Sequence, residues 1–106
     1  MSQPFRITRC QLCDHAIFPP RPVCPRCGRR SWRSEVARHG TVEHATSRLD
    51  AQSGESVWLA EVRLDVGPLV TARCAPAVGA GERVCLALVP AGDTAFRLLA
   101  SPQRGA

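Results

Sequence analysis

Beyond Trp32 the chain alternates apolar and polar residues with a period of two, in short runs punctuated by glycine and proline. That pattern predicts half-buried strands, and no stretch carries the 3.6-residue period of a helix. Val57 to Asp65 is the clearest run, with Trp58, Ala60, Val62 and Leu64 on one face and Glu61 and Arg63 on the other. Ser34 to Arg38 and Gly40 to Arg48 read as one strand or two, broken near Gly40. Leu69 to Cys74 returns after a turn at Gly67 and Pro68, and Val78 to Gly81 is a tight turn. Arg83 to Pro90 places Val84, Leu86 and Leu88 on one face. After a turn at Ala91, Gly92 and Asp93, Phe96 to Leu99 is a short closing strand. Five short strands with glycine turns predict a small Greek-key barrel of the OB type, spanning residues 39–100, with 101–106 a disordered tail. Cys74 shares a face with Val70 and Ala72 and is expected as a buried thiol, whereas Cys85 faces the other way.

Residues 1–38 follow different rules. Pro19, Pro20 and Pro22 lack backbone donors, so the IFPPRPVC stretch cannot be helix and is expected as an extended hairpin arm. On either side of it stand RCQLC and CPRCG, which give the spacing C-x2-C-x10-C-x2-C through Cys10, Cys13, Cys24 and Cys27. A two-residue spacer turns both sulfurs of a pair inward on one loop, and two such knuckles supply the corners of a tetrahedral metal site. Gly28 suits the positive φ that the second knuckle requires; Asp14 stands at the matching place in the first. Disulfides would need an oxidising compartment to which nothing in the sequence addresses the chain. Iron suits CPRCG as well as zinc does, but the ten-residue separation and basic surroundings favour one zinc ion. With four thiolates bound the site has no open position, so the metal is expected to be structural. His15, between the knuckles, is expected as an exposed loop histidine, and His39 and His44 have no partner spacing that suggests a site.

Charge divides along the same line. The 106 residues carry 14 arginines, no lysine and nine acids, a formal net charge of +5. Eight arginines and two acids lie in residues 1–38, a balance of +6, against −1 for the remainder. Four thiolates around Zn²⁺ contribute −2 and reduce the total to about +3. Arg21, Arg26, Arg29 and Arg30 ring the second knuckle, either as a solvated rim that offsets the −2 of a four-thiolate zinc site or as candidate contacts for a phosphate or an acidic partner surface, since guanidinium forks match such groups. The charged start MSQPFRITRC offers no secretory core, and no apolar run approaches the ~20 residues of a membrane span, so a cytoplasmic protein without membrane contact is expected.

RCQLC, FPPRPVCPRCG, the GTV opening of the barrel, WLAEVRLDVGPLVTARC and VGAGERVCLALV together resemble the zinc-ribbon plus OB-fold acyl-CoA-associated family, formerly domain of unknown function 35. The likeness runs from about Arg9 to Phe96. Its most specific parts are PPR-x2-CP-x-CG, carried by Pro19, Pro20, Arg21, Cys24, Pro25, Cys27 and Gly28, and LDVGP at Leu64 to Pro68. The resemblance implies a rubredoxin-like zinc ribbon joined to an OB barrel. It also implies an accessory subunit in a hetero-oligomeric complex with a thiolase-fold protein that handles acyl-CoA. Nine residues precede Cys10, where the family usually carries a helical segment that contributes to partner or CoA contacts.

Chain length excludes a dinucleotide-binding fold or an α/β barrel, which need roughly twice as much chain. No nucleophile–base pair, paired carboxylates or open metal position is legible, so the chain is expected not to be an enzyme. Nucleic-acid binding is the alternative, since ribbons and OB barrels both serve it. It demands a positive barrel groove with stacking aromatics, whereas residues 39–106 are acidic on balance and their only aromatics, Trp58 and Phe96, are assigned to core faces.

Overall fold

The computed structural model describes residues 2–92 and 95–103. Among them run β1 (Gln3–Pro4), β2 (Arg6–Cys10), β3 (Ala16–Ile17), β4 (Trp32–Val36), β5 (His39–Leu49), β6 (Ser56–Leu64), β7 (Leu69–Cys74), β8 (Arg83–Pro90) and β9 (Phe96–Pro102), with no helix. The expected interruption falls at Ala37 and Arg38, with Gly40 already inside β5, and it separates two strands in different sheets. β4 joins the ribbon sheet β3-β2-β4, while β5 opens a barrel ordered β5-β6-β7-β9-β8 that closes where β8 pairs again with β5. All pairings are antiparallel except the single β7–β9 contact, Arg73 opposite Leu99.

β5 bends to serve two neighbours. Its first residues pair with β8, and from Gly40 to Leu49 it pairs with β6, with a register shift between Val42 and His44. The extra residue, Glu43, reverses the inward parity: Gly40 and Val42 are buried before it, and Ala45 packs on the core after it. At the bend β5 and β6 approach so closely that a Cβ on Gly40 would lie 2.5 Å from Val62 Cγ1 and 2.7 Å from the Arg63 carbonyl oxygen. Alternation holds on β6, β7 and β8. Ala60, Val62 and Leu64 of β6, Val70 and Ala72 of β7, and Val84 and Leu86 of β8 fill the interior.

The chain start belongs to both halves. β1 pairs with β8 through Gln3–Leu88 and Pro4–Ala87, continuing the edge that β5 leaves, and the Leu86 N–H between them donates to the Arg38 carbonyl. Phe5 and Ile7, both buried, then enter the barrel core, and Phe5 meets the Phe18 ring edge-on with centroids 5.0 Å apart. Ribbon and barrel therefore share one apolar core.

Three expectations are corrected here. The tail does not begin at residue 101, because Ser101 and Pro102 still pair with Cys85 and Val84 and the Gln103 N–H donates to the Arg83 carbonyl; 104–106 lie outside the described residues. Phe96, assigned to the core, is 48% exposed, since it starts β9 at the barrel rim; Trp58 is half-buried. Cys74 is likewise only half-buried, though it packs against the core. Of the turn after β8, Asp93 lies outside the described residues, and the Ala91 N–H donates to the Ala95 carbonyl.

Candidate metal centre

The two cysteine knuckles are built alike. In the first, the Cys10 N–H donates to the His15 carbonyl and the Asp14 N–H to the Cys10 carbonyl. In the second, the Cys24 N–H donates to the Arg29 carbonyl and the Gly28 N–H to the Cys24 carbonyl. Asp14 (φ 67°) and Gly28 (φ 77°) both adopt the left-handed conformation that reverses the chain after the second cysteine. A hydrogen bond from the Gln11 N–H to the Ser31 carbonyl ties the first knuckle to the segment that leads from the second into β4.

This brings the four sulfurs of Cys10, Cys13, Cys24 and Cys27 within 4.8 Å of one another. Two separations are 3.6 Å (Cys10–Cys27) and 3.5 Å (Cys13–Cys24). A tetrahedron with zinc–sulfur bonds of about 2.3 Å places its corners about 3.8 Å apart, so the cluster fits one zinc ion. Cys10 and Cys24 are buried and Cys13 is half-buried, while Cys27 stands at the surface. The His15 side chain is outside this set and half-buried instead of exposed; its backbone carbonyl is the part that serves the knuckle.

The thiols ionise unequally among themselves. The Cys13 N–H, and with it the Leu12 N–H, holds the Cys10 thiol down to about 6 against burial. Burial pushes the Cys24 thiol up, but the N–H groups of Cys27 and Arg26 outweigh it and leave it lowered. The Cys13 sulfur accepts from the His15 N–H, yet burial and the neighbouring sulfurs push it up to about 12. Cys27, which accepts from the Arg29 N–H, is also raised, by burial and by the Cys10 and Cys24 sulfurs. A divalent cation removes that mutual opposition by taking all four as thiolates.

A charged brace stands behind the first knuckle. Arg9 forks onto Glu35, with Nε to Oε1 at 3.0 Å and Nη2 to Oε2 at 2.9 Å, and also donates to the Asp14 carbonyl at 2.8 Å. Arg33 reaches the Asp14 carboxylate at 3.1 Å. The fork lowers the Glu35 pKa and raises that of Arg9. Sequence reading missed this brace, because only the β2–β4 register, which sets Arg9 opposite Arg33, brings these residues together.

Arg21, Arg26, Arg29 and Arg30 are all exposed on the ribbon surface, and among the described residues none takes part in an ion pair. Exposed Leu12, Phe18 and Val23 lie on the same module.

A four-thiolate ribbon built into a five-stranded OB-like barrel defines the class: a zinc-ribbon plus OB-fold protein. Residues 3–33 match the family of the ChsH2 rubredoxin-like zinc ribbon domain. The chain is also similar to a solved structure described as an Ltp2-ChsH2(DUF35) aldolase, with a TM-score of 0.81 and 24% identity over 93% of this chain and 84% of that one. No curated protein sequence matches the chain. These matches bear out the resemblance read from the sequence, the ribbon by its sequence pattern and the whole chain by its fold. They also correct one expectation. The expectation that the chain is not an enzyme, drawn from the lack of a catalytic constellation, does not stand, because a solved structure that shares its fold is described as an aldolase of two components. Among the described residues no helix is long and apolar enough to cross a membrane.

Proposed function

We propose that this chain is a zinc-binding subunit of a hetero-oligomeric, acyl-CoA-handling enzyme complex whose other component is a thiolase-fold protein. The observation that carries the proposal is the whole-chain fold similarity to an aldolase described by two components, Ltp2 and ChsH2(DUF35). In this reading Cys10, Cys13, Cys24 and Cys27 hold one structural zinc ion that stiffens a ribbon with little core of its own. The exposed arginines Arg21, Arg26, Arg29 and Arg30 meet the partner or the phosphates of CoA. The subunit positions the thioester or stabilises its partner.

Purification of the tagged chain from its native host, followed by identification of what accompanies it, tests the proposal. A thiolase-fold protein in stoichiometric amount is the expected result. Recovery of nucleic acid without any such protein overturns it.

A further inference from the structure

The barrel has its own charge pattern, separate from that of the ribbon. Arg63 pairs with Glu43 at 3.0 Å, and Arg83 forks onto Asp65 at 2.6 and 2.8 Å. Among the described residues Arg48, Arg73 and Arg97 have no ion-pair partner, and these three converge on the tip of the β5–β6 hairpin. Arg48 and Arg73 line an open groove of about 360 Å³ with Leu49, Asp50, Val57 and Leu59. Strand register explains the grouping. Val57 lies opposite Arg48, Leu59 opposite Arg73, and Arg73 opposite Leu99, two residues from Arg97 on the same face.

Asp50 does not neutralise the groove as a free partner would. Its carboxylate accepts from the Gln52 N–H at 3.1 Å and the Ser53 hydroxyl at 3.2 Å, which closes the hairpin loop. Arg73 and Arg97 add to these bonds in lowering its pKa. The apolar component is large, since Leu49, 71% exposed, is the most exposed large hydrophobic side chain among the described residues, and Val57 and Leu59 are only half-buried. Aliphatic walls between unpaired guanidinium groups complement a protein segment that carries carboxylates beside an apolar side chain. They suit nucleic acid poorly: no aromatic lines the groove to stack a base, and the Asp50 carboxylate would face a phosphate backbone.

We infer that the outer face of the barrel at the β5–β6 tip, between Arg48 and Arg73, is a docking surface for an acidic, apolar-centred segment of the partner protein. The inference rests on the reading of the chain as a complex subunit and adds a second contact, on the barrel, to the one proposed for the ribbon. Because surface charge pairs steer encounter, the contact is salt-sensitive.

The test measures binding of the thiolase-fold protein from the same host to the full-length zinc-loaded chain, at low and high salt. The double variant Arg48→Glu/Arg73→Glu and the single variant Leu49→Glu are compared with Arg38→Glu, which lies outside the groove; circular dichroism and zinc content confirm that each is folded. Expected is a weakening of at least tenfold for both groove variants, with wild-type affinity for Arg38→Glu. Wild-type binding by the groove variants overturns this inference and leaves the subunit reading standing. Failure of the wild-type chain itself to bind overturns both. A 15-nucleotide oligo(dT) that binds the wild-type chain and is lost with the groove variants overturns it in favour of nucleic acid.

Discussion

Asp14 and Gly28 hold equivalent places in the two knuckles, each in the left-handed conformation and each donating its N–H to the carbonyl of the cysteine that opens its loop. One place is filled by the residue that adopts this conformation freely, the other by a residue that adopts it at a cost. Asp14 offsets that cost through Arg33 and Arg9, but its side chain is 73% exposed, so these pairs are screened. Asp14→Gly is therefore expected to change stability by less than about 0.5 kcal/mol, whereas the β-branched Asp14→Val should lose about 1–2 kcal/mol. Urea unfolding of the zinc-loaded chain measures both; equal losses would show that the side-chain contacts, not the backbone, decide.

Zinc binding should release protons, from Cys13 and Cys27 at least. Cys10, held down to about 6, is already a thiolate at neutral pH, while Cys13 and Cys27 are raised and still protonated. Protons compete with metal for the same sulfurs, so zinc affinity falls as pH falls. Calorimetric titration of zinc in buffers of different ionisation enthalpy at pH 7 counts the released protons. Metal analysis of the purified chain should find one zinc per chain; iron with a visible thiolate band would contradict the fit.

Much of this was legible before the structure because it rests on local rules. The two cysteine pairs announce the site by spacing alone, and strict alternation from Val57 to Leu64 places Ala60, Val62 and Leu64 inside. What escaped depends on pairing across the sheets. The bulge at Glu43 shifts parity within β5, so no single alternation describes His39 to Leu49. Phe96 looks like a core residue by type, yet it opens its strand opposite Pro90 and stays about half exposed. The Arg48–Arg73 groove joins residues of different strands and becomes visible only through the β5–β6–β7 register.

Gly40 is required by space. Its φ is not in the positive region, but a methyl group there would strike Val62 and the Arg63 carbonyl, which is backbone and cannot swing away. Gly40→Ala should cost about 2–3 kcal/mol through forced displacement of β5 from β6. Gly54, with φ of 73° and open space around its Cβ position, is a useful contrast: Gly54→Ala should cost about 1 kcal/mol, from strain alone. Chemical denaturation ranks the two.

Acid should weaken the chain through Glu35 and Asp65. Both carboxyls are lowered by their arginine forks, so the stability they confer is complete above the ordinary carboxylate range and is lost as pH falls from there through their lowered native values. Glu35→Gln should cost about 1 kcal/mol at pH 7, after allowance for a side chain 30% exposed, and the difference from wild type should shrink to nothing once Glu35 is protonated in both states. Unfolding at a series of pH values follows that convergence. A difference that stays constant down to pH 3 would mean that the fork contributes shape, not charge.

Because Phe5 and Ile7 leave the ribbon side of the chain to enter the barrel core, metal binding and barrel stability should be coupled. β1 hydrogen-bonds to β8, the Ala37 N–H donates to the Phe5 carbonyl, and Phe5 packs on Phe18 of the inter-knuckle arm. Chelation of zinc releases the knuckles that anchor β2 and loosens that wedge. The expected outcome is faster hydrogen exchange at the Val84 and Leu86 amides of β8 when a chelator is added, although both lie in the barrel. Phe5→Ala removes the wedge directly and should cost about 3–5 kcal/mol while leaving the four sulfurs in place. After that substitution the chelator should no longer change exchange in β8, since the link it acts through is gone. Exchange in wild-type β8 that is indifferent to zinc would instead make ribbon and barrel two independent folding units joined end to end.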